Sequence, residues 1–396
     1  MFFGTLKKKI ESVFMSLRTA LALTLGAAAL YALTLFPGAG PTLDSLEFQT
    51  AVTVLGVVHP PGSPLYLLLG KLFTLVLPAG DVALRLNLFS ALTAGLAVGI
   101  LYLLVERLTG RRLAAALAAL LLALSPQYWY QAIIAEIWSL NAVFLGAVLL
   151  LWVFWLDTGM PRWRWLGLAL FALSLGNHAS TILLFPALLF SGLGEFGKTR
   201  KGLLAAPGSA GFPGTCIRGR CDNPAGAVAK NEVRASENSA HSACSAVNRS
   251  FSGIRLRSLL AAGGLLLLAA LPYFYIPLRA PHAGFCNYCP RQGAGLLAYF
   301  TAYPIRNAFL SVPASALPGR LADAGGRLIQ QFGLAGLCLR MVGAWRLARP
   351  DRSGGPARFA GVWLFPALAV EAAFALTYDV PDWPEFLSPA FSYLRC

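Results

Sequence analysis

Two carboxylates and an imidazole stand close together early in the chain: Asp44 and Glu47 in Asp44-Ser45-Leu46-Glu47-Phe48, then His59 in His59-Pro60-Pro61-Gly62. Acids three residues apart share a helix face, so they can act as a general base and as an aid that positions a substrate or a metal ion. The same spacing has a plainer reading. Asp44 as an N-cap with Glu47 three residues on is a capping-box variant that starts a short helix and does nothing more. His59 can hydrogen-bond a phosphate or a sugar hydroxyl, or serve only in a turn stiffened by the Pro-Pro step.

Other polar groups are spread along an oily chain. Glu136 sits where a loop becomes an apolar segment, an expensive place for a carboxylate that is neither paired nor functional. Asn177 and His178 fall between two apolar runs, where helix-to-helix hydrogen bonding competes with a role in binding. Arg279 suits phosphate geometry, with interfacial snorkelling as the alternative, and Lys71 and Arg85 are further cations on the same side. Asp379 and Asp382 add two late acids. The seven cysteines are odd in number and scattered, and the lone Cys286-x-x-Cys289 reads as two incidental thiols or one tight disulfide.

The elements that must carry these groups are membrane helices. The 396 residues are 57% hydrophobic and 12% charged, with a mean hydropathy of +0.64, which excludes a water-soluble domain. A net charge of +15 follows from concentrating Lys and Arg in cytoplasmic loops, so nucleic acid is not a partner and the lipid bilayer is. Lys7, Lys8, Lys9 and Arg18 precede an apolar run at 19–36 with no small-residue cleavage site, which reads as a start-transfer anchor with its N-terminus inside.

Further apolar segments at 84–105, 113–124, 138–156, 165–175, 181–193, 258–276, 328–342 and 359–375 bring the expectation to about nine transmembrane helices in an all-α polytopic bundle. The stretch 63–77, interrupted by Pro64, Gly70 and Lys71, is expected to lie outside as a juxtamembrane helix. That parity puts most of the 32 Lys and Arg inside and sends the polar loops out. Gly95-x-x-x-Gly99 is a packing signal within the bundle. Three parts follow: an N-terminal transmembrane module at 1–193 with an acidic first external loop, a basic disordered cytoplasmic loop at 194–257 whose stretch 202–252 has no periodicity, and C-terminal helices with an external loop at 258–396.

The joint pattern carries a resemblance. Asp44 to Phe48, then Val58-His59-Pro60-Pro61-Gly62-Ser63-Pro64-Leu65-Tyr66, Arg85-Leu86-Asn87-Leu88-Phe89-Ser90-Ala91-Leu92 and Ala135-Glu136-Ile137-Trp138-Ser139-Leu140-Asn141 resemble the family catalogued as domain of unknown function 2723. That family includes the transmembrane protein 260 group of O-mannosyltransferases. Weaker likenesses lie at Pro277-Leu278-Arg279-Ala280, at Asn287-Tyr288 with Pro290, and at 378–382. Leu46 and Trp138 stand where the family usually has Gly and Tyr, and the resemblance implies that a C-terminal portion beyond Cys396 is missing.

What the resemblance implies is a GT-C type membrane glycosyltransferase. It would move a sugar, mannose in the named group, from a polyprenyl-phosphate carrier to an acceptor hydroxyl on a protein or glycan, with inversion. Asp44 is then the expected general base and Glu47 and Glu136 position hydroxyls, while His59, Lys71, Arg85, His178, Arg279 and Asp382 are the expected contacts to substrate and lipid phosphate. A divalent metal is left open by the acids and fixed by nothing. The expected setting is the bacterial inner membrane, or the endoplasmic reticulum membrane in a eukaryote, with the site on the external or lumenal face. A transporter or flippase of lipid-linked sugars, or a non-catalytic assembly subunit, is the rival expectation.

Overall fold

The computed structural model describes residues 2–192, 260–290, 293–302, 306–308, 310–348 and 365–379. The expected loop at 194–257 and Asp382 lie outside the described residues. The chain divides into two compact units, one of residues 1–191 with 268–396 and the other of 192–267, and the candidate site lies within the first.

The first helices run α1 (Phe2–Leu33), α2 (Leu43–Val54), α3 (Pro64–Val76), α4 (Val82–Thr109), α5 (Arg112–Ala123), α6 (Pro126–Ala132), α7 (Ile137–Thr158) and α8 (Pro161–Ser174). Then come α9 (Ala179–Gly192), which opens as a tight turn over Ala179–Leu184, and α10 (Leu260–His282). Helices α11 (Gly293–Phe300), α12 (Leu317–Ala348) and α13 (Phe365–Thr377) complete the described chain. Among the described residues, extended pairing is confined to a single bridge between Val57 and Cys286.

Four helical stretches are long and apolar enough to cross a bilayer: Ile10–Leu33, Val82–Thr109, Ile137–Thr158 and Leu260–His282. A fifth span arises if α5 and α6, bent by 65°, count as one. The apolar segments expected to cross at 165–175 and 181–193 fall on shorter helices, α8 and α9. The 14 residues of α8 reach about 21 Å at about 1.5 Å per residue, short of a hydrocarbon core of roughly 30 Å. The segment expected at 328–342 lies inside α12, which is broken at Gly333 (φ 63°). The stretch expected as a juxtamembrane helix is the 13-residue α3, entered through Gly62 at φ +81°.

The core forms because α1, α7 and α5 all pack on α4, and α8 packs on α7. Gly95 and Gly99 let α1 approach: a Cβ on Gly95 would lie 2.7 Å from the Thr24 carbonyl oxygen, and one on Gly99 2.9 Å from that of Ala20. The small-residue pair therefore works within the chain, as its spacing suggested. Helix α4 starts on an Asp81 cap whose side chain accepts from the Leu84 N–H at 2.7 Å, and it ends on Gly110 in the left-handed region. A second apolar cluster, with Phe48, Val52, Tyr66, Leu86, Trp138 and Tyr299 among its members, sits under the first loop and holds the candidate site.

Candidate functional site

Helix α2 begins at Thr42, whose hydroxyl accepts from the Ser45 N–H at 3.0 Å. The capping-box reading of Asp44 and Glu47 is thereby corrected: Thr42, not Asp44, is the cap, so the Asp44 carboxylate has no such duty. It stands in the first turn, where the helix end favours negative charge, with a side chain 40% exposed. The Thr42 hydroxyl also donates to Glu136 Oε1 at 2.9 Å. Glu136, 2% exposed at the head of α7, thus steadies the start of the helix that carries Asp44.

Phe48 and Val52 are fully buried and Phe48 stacks edge-on against Tyr66 at 4.9 Å, which pulls the neighbouring Glu47 out of solvent to 8% exposure. Its carboxylate is satisfied there. Oε1 accepts from the His59 backbone N–H at 2.7 Å and from Asn287 Nδ2 at 2.9 Å, and Oε2 accepts from His59 Nδ1 at 2.5 Å. Burial pushes the Glu47 carboxyl up, but the His59 ring and its charge, together with Asn287, outweigh burial and hold it below its ordinary 4.5. An ionised Glu47 can only accept, so it fixes the proton on His59 Nδ1.

Asp44 Oδ1 lies 3.9 Å from the same His59 nitrogen. Asp44 and His59 both line a cavity of about 820 Å³ that also takes in His178 and the aromatic faces of Tyr273, Phe300 and Phe374. His178 Nδ1 accepts from the Ser180 N–H at 3.3 Å, and its ring lies 4.9 Å from that of Trp138. Burial, with the charge of His59 second, pushes His178 down to about 4, so it meets the cavity as a neutral ring. Its neighbour Asn177 takes the bland alternative instead, donating to the Ile137 carbonyl and to Asn141 Oδ1, each at 3.4 Å.

The expected cations are placed differently. Lys71 Nζ donates to the Thr53 carbonyl at 2.8 Å. Arg85 donates to the carbonyls of Thr74, Ala79 and Gly80, tying off the end of α3. Arg279 donates to the carbonyls of Leu55 at 2.9 Å and Val54 at 3.0 Å, at the end of α2. All three close helix ends by satisfying last-turn or following carbonyls, and none is among the residues lining the cavity. Of the late acids, Asp379 pairs with Arg320 at 2.6 Å.

Arg279 belongs to a longer seam. Five consecutive carbonyls, Val54 to Val58, accept in turn from Arg279, Arg279 again, the Tyr275 hydroxyl, the Asn287 backbone N–H and the Tyr299 hydroxyl. Burial pushes the Tyr299 phenol up, with the negative charge of Glu47 adding to it, so it stays a donor. Asn287, Tyr275 and Tyr299 are the contributors that sequence reasoning did not single out as site residues. Asn287 sits inside the Cys286–Cys289 pair, which is a disulfide. Asp44, Glu47 and His59 each offer one ligand atom, all within 4.8 Å of one another, a two-oxygen and one-nitrogen set whose donor types suit a divalent cation.

Comparison with known proteins covers part of this chain. Residues 44–194 match the family model described as the N-terminal domain of protein O-mannosyl-transferase TMEM260. The mouse (Mus musculus) protein O-mannosyl-transferase TMEM260 is 41% identical over 138 residues, 35% of this chain and 20% of that protein. The Dictyostelium discoideum protein O-mannosyl-transferase tmem260 is 28% identical over 128 residues, 32% of this chain and 16% of that one. The matches thus span a fifth or less of the curated relatives' length. ArnT from Cupriavidus metallidurans, solved bound to undecaprenyl phosphate, superposes with a TM-score of 0.55 over 95% of this chain and 59% of its own, at 15% identity. Over residues 44–194 the chain is similar to the N-terminal domain of the TMEM260 family, and it is an integral, multi-pass membrane protein whose helical fold is of the GT-C type.

Proposed function

We propose that this chain is a GT-C type glycosyltransferase that takes a sugar, mannose in the first instance, from a polyprenyl-phosphate carrier and transfers it to an acceptor hydroxyl of a protein. The observation that carries this reading is a half-exposed Asp44 opening onto a cavity of about 820 Å³ beside the Glu47–His59 pair. Asp44 takes the proton of the acceptor hydroxyl as that oxygen attacks the anomeric carbon in line. The new carbon–oxygen bond forms as the bond to the carrier phosphate breaks, and its electron pair leaves with the phosphate. The configuration inverts.

Glu47 orients His59, and Glu136 acts one step further back, through the Thr42 cap. His59 and neutral His178 face the cavity and can donate to sugar hydroxyls or phosphate oxygens. For Lys71, Arg85 and Arg279 to reach the leaving phosphate, each must release the carbonyls it now holds. A divalent cation held by Asp44, Glu47 and His59 would supply positive charge against the phosphate. The loops bearing Asp44 and His59 are assigned to the external or lumenal face by the distribution of basic residues, in a bacterial inner membrane or an endoplasmic reticulum membrane. The aromatic part of the cavity lining suits the carrier's isoprenoid chain.

The test is transfer of labelled mannose from its polyprenyl phosphate to endogenous protein in membranes containing the chain, against the Asp44→Asn variant. No transfer by the unaltered chain would overturn the reading. One observation favours a lipid-linked sugar transporter instead: Glu371 is buried to 9% exposure in the middle of the apolar helix α13, as a group on a translocation path can be. Movement of the labelled carrier across sealed vesicles, abolished by Glu371→Gln and untouched by Asp44→Asn, would establish that alternative.

A further inference from the structure

Glu47 is held from two directions. His59, 12 residues away, supplies two of its hydrogen bonds, and Asn287, 240 residues away, supplies the third. The Asn287 amide has little freedom to be elsewhere. Its backbone N–H donates to the Val57 carbonyl at 2.8 Å and the Val57 N–H donates back to Phe285 at 2.9 Å, which makes the parallel bridge between 57 and 286. The Cys286–Cys289 disulfide then closes the four residues around it.

We propose that Asn287 is a positioning residue for the Glu47–His59 pair, braced by the Cys286–Cys289 disulfide, and that it sets the orientation in which His59 meets the substrate. This rests on the preceding reading only for what His59 does in the cavity; the coupling of Asn287 to Glu47 stands without it. The physical case is that His59 engages both oxygens of Glu47 from a single residue, so the two groups can shift together, whereas a third donor from a separate segment ties Oε1 to a frame outside that residue. The plane of Glu47 fixes the ring of His59, because the Nδ1 bond at 2.5 Å is directional.

The test uses the full chain in lipid nanodiscs, with thermal unfolding and, separately, mannose transfer from undecaprenyl-phosphate mannose. In a double-mutant cycle of Asn287→Ala with Glu47→Gln, the two losses in melting temperature are expected to be non-additive, because each variant removes part of one charge-assisted bond. In transfer, Asn287→Ala is expected to lower kcat on the order of tenfold with KM for the donor unchanged. Asn287→Asp keeps the shape and the backbone bonds but sets a carboxylate against Glu47, so it is expected to be worse than alanine. Replacing both Cys286 and Cys289 by serine is expected to lower kcat in the same sense and to shrink the Asn287–Glu47 coupling.

Additive losses in the cycle would overturn the proposal whether or not transfer is detected. So would an Asp variant as active as the unaltered chain, or a loss confined to KM. If the alanine variant does not fold, the cycle is run with Asn287→Asp, where non-additivity supports the coupling and additivity refutes it. Absent transfer by the unaltered chain would count against the glycosyltransferase reading alone, since the unfolding cycle still reports on Asn287.

Discussion

His59 Nδ1 donates a hydrogen bond to Glu47 Oε2 at 2.5 Å while Asp44 Oδ1 stands 3.9 Å from the same nitrogen. One carboxylate is therefore committed and buried, and the other is half-exposed at the cavity. Two acids on one helix face thus differ in burial and in hydrogen-bond partners.

Asp44→Asn removes the proton acceptor and keeps the size. Transfer should fall on the order of 10²-fold or more, with thermal stability near that of the unaltered chain. Because Thr42 is the cap, Asp44→Ala should also be mild in stability, whereas Thr42→Ala should cost about 1 kcal/mol. Labelled-sugar transfer and thermal unfolding on the three variants check this, and an active Asp44→Asn protein would move the base elsewhere.

Glu47 has a folded-state pKa below its ordinary 4.5. Its ionisation therefore contributes stability that is fully present above 4.5 and is lost as pH falls through the lower folded value. Thermal unfolding across the acid range should show this decline in the unaltered chain and a flatter profile in Glu47→Gln. Parallel profiles for the two proteins would contradict it.

Sidedness can be read with single cysteines at two exposed sites, Leu43 (85% exposed) at the head of α2 and Arg111 between α4 and α5. An impermeant thiol reagent should reach Leu43→Cys from outside and Arg111→Cys only after the vesicles are opened, with Cys286 and Cys289 kept as the disulfide and the other native cysteines replaced. Ser45, being fully buried, is a poor probe. Labelling of both sites from one side would remove the topology and the external site with it.

Gly95→Ala should destabilise the bundle by about 1–3 kcal/mol, since its Cβ would meet the Thr24 carbonyl and the Ala28 backbone nitrogen, neither of which can rotate aside. Gly110→Ala is the comparison from open space, strained by its φ of +68° and not by a clash. Thermal unfolding in detergent should show the first as a packing loss that a smaller residue at Ala28 partly relieves.

Asp44 and His59 could be found in the sequence because their spacing is local and the surrounding motif is specific, and the Gly95-x-x-x-Gly99 contact was legible for the same reason. Arg85, Lys71 and Arg279 were less so. A guanidinium suited to phosphate is equally suited to the carbonyls at a helix end, and residue type does not choose between them; position at the ends of α2 and α3 does. Thr42 outranked Asp44 as the cap by two positions, a margin within the ordinary uncertainty of a helix boundary. Asn287 lies in a segment that resembles a later part of the family, but nothing local ties a neutral amide to a carboxylate 240 residues earlier. The helix count was softest because α8, α9 and α12 are short or broken, where hydropathy alone reports an apolar stretch and not its length as a rod.

The five carbonyls from Val54 to Val58 also put the site on a clock. During synthesis, Gly56 leaves the ribosome 219 residues ahead of the Tyr275 hydroxyl that takes its carbonyl, and Asn287 and Tyr299 follow later still. Through that interval the seam has no partner in the chain and must be served by water at the membrane surface. An N-terminal fragment that carries every motif of the first loop would thus lack both the Asn287 amide that holds Glu47 and the side-chain donors that hold these carbonyls.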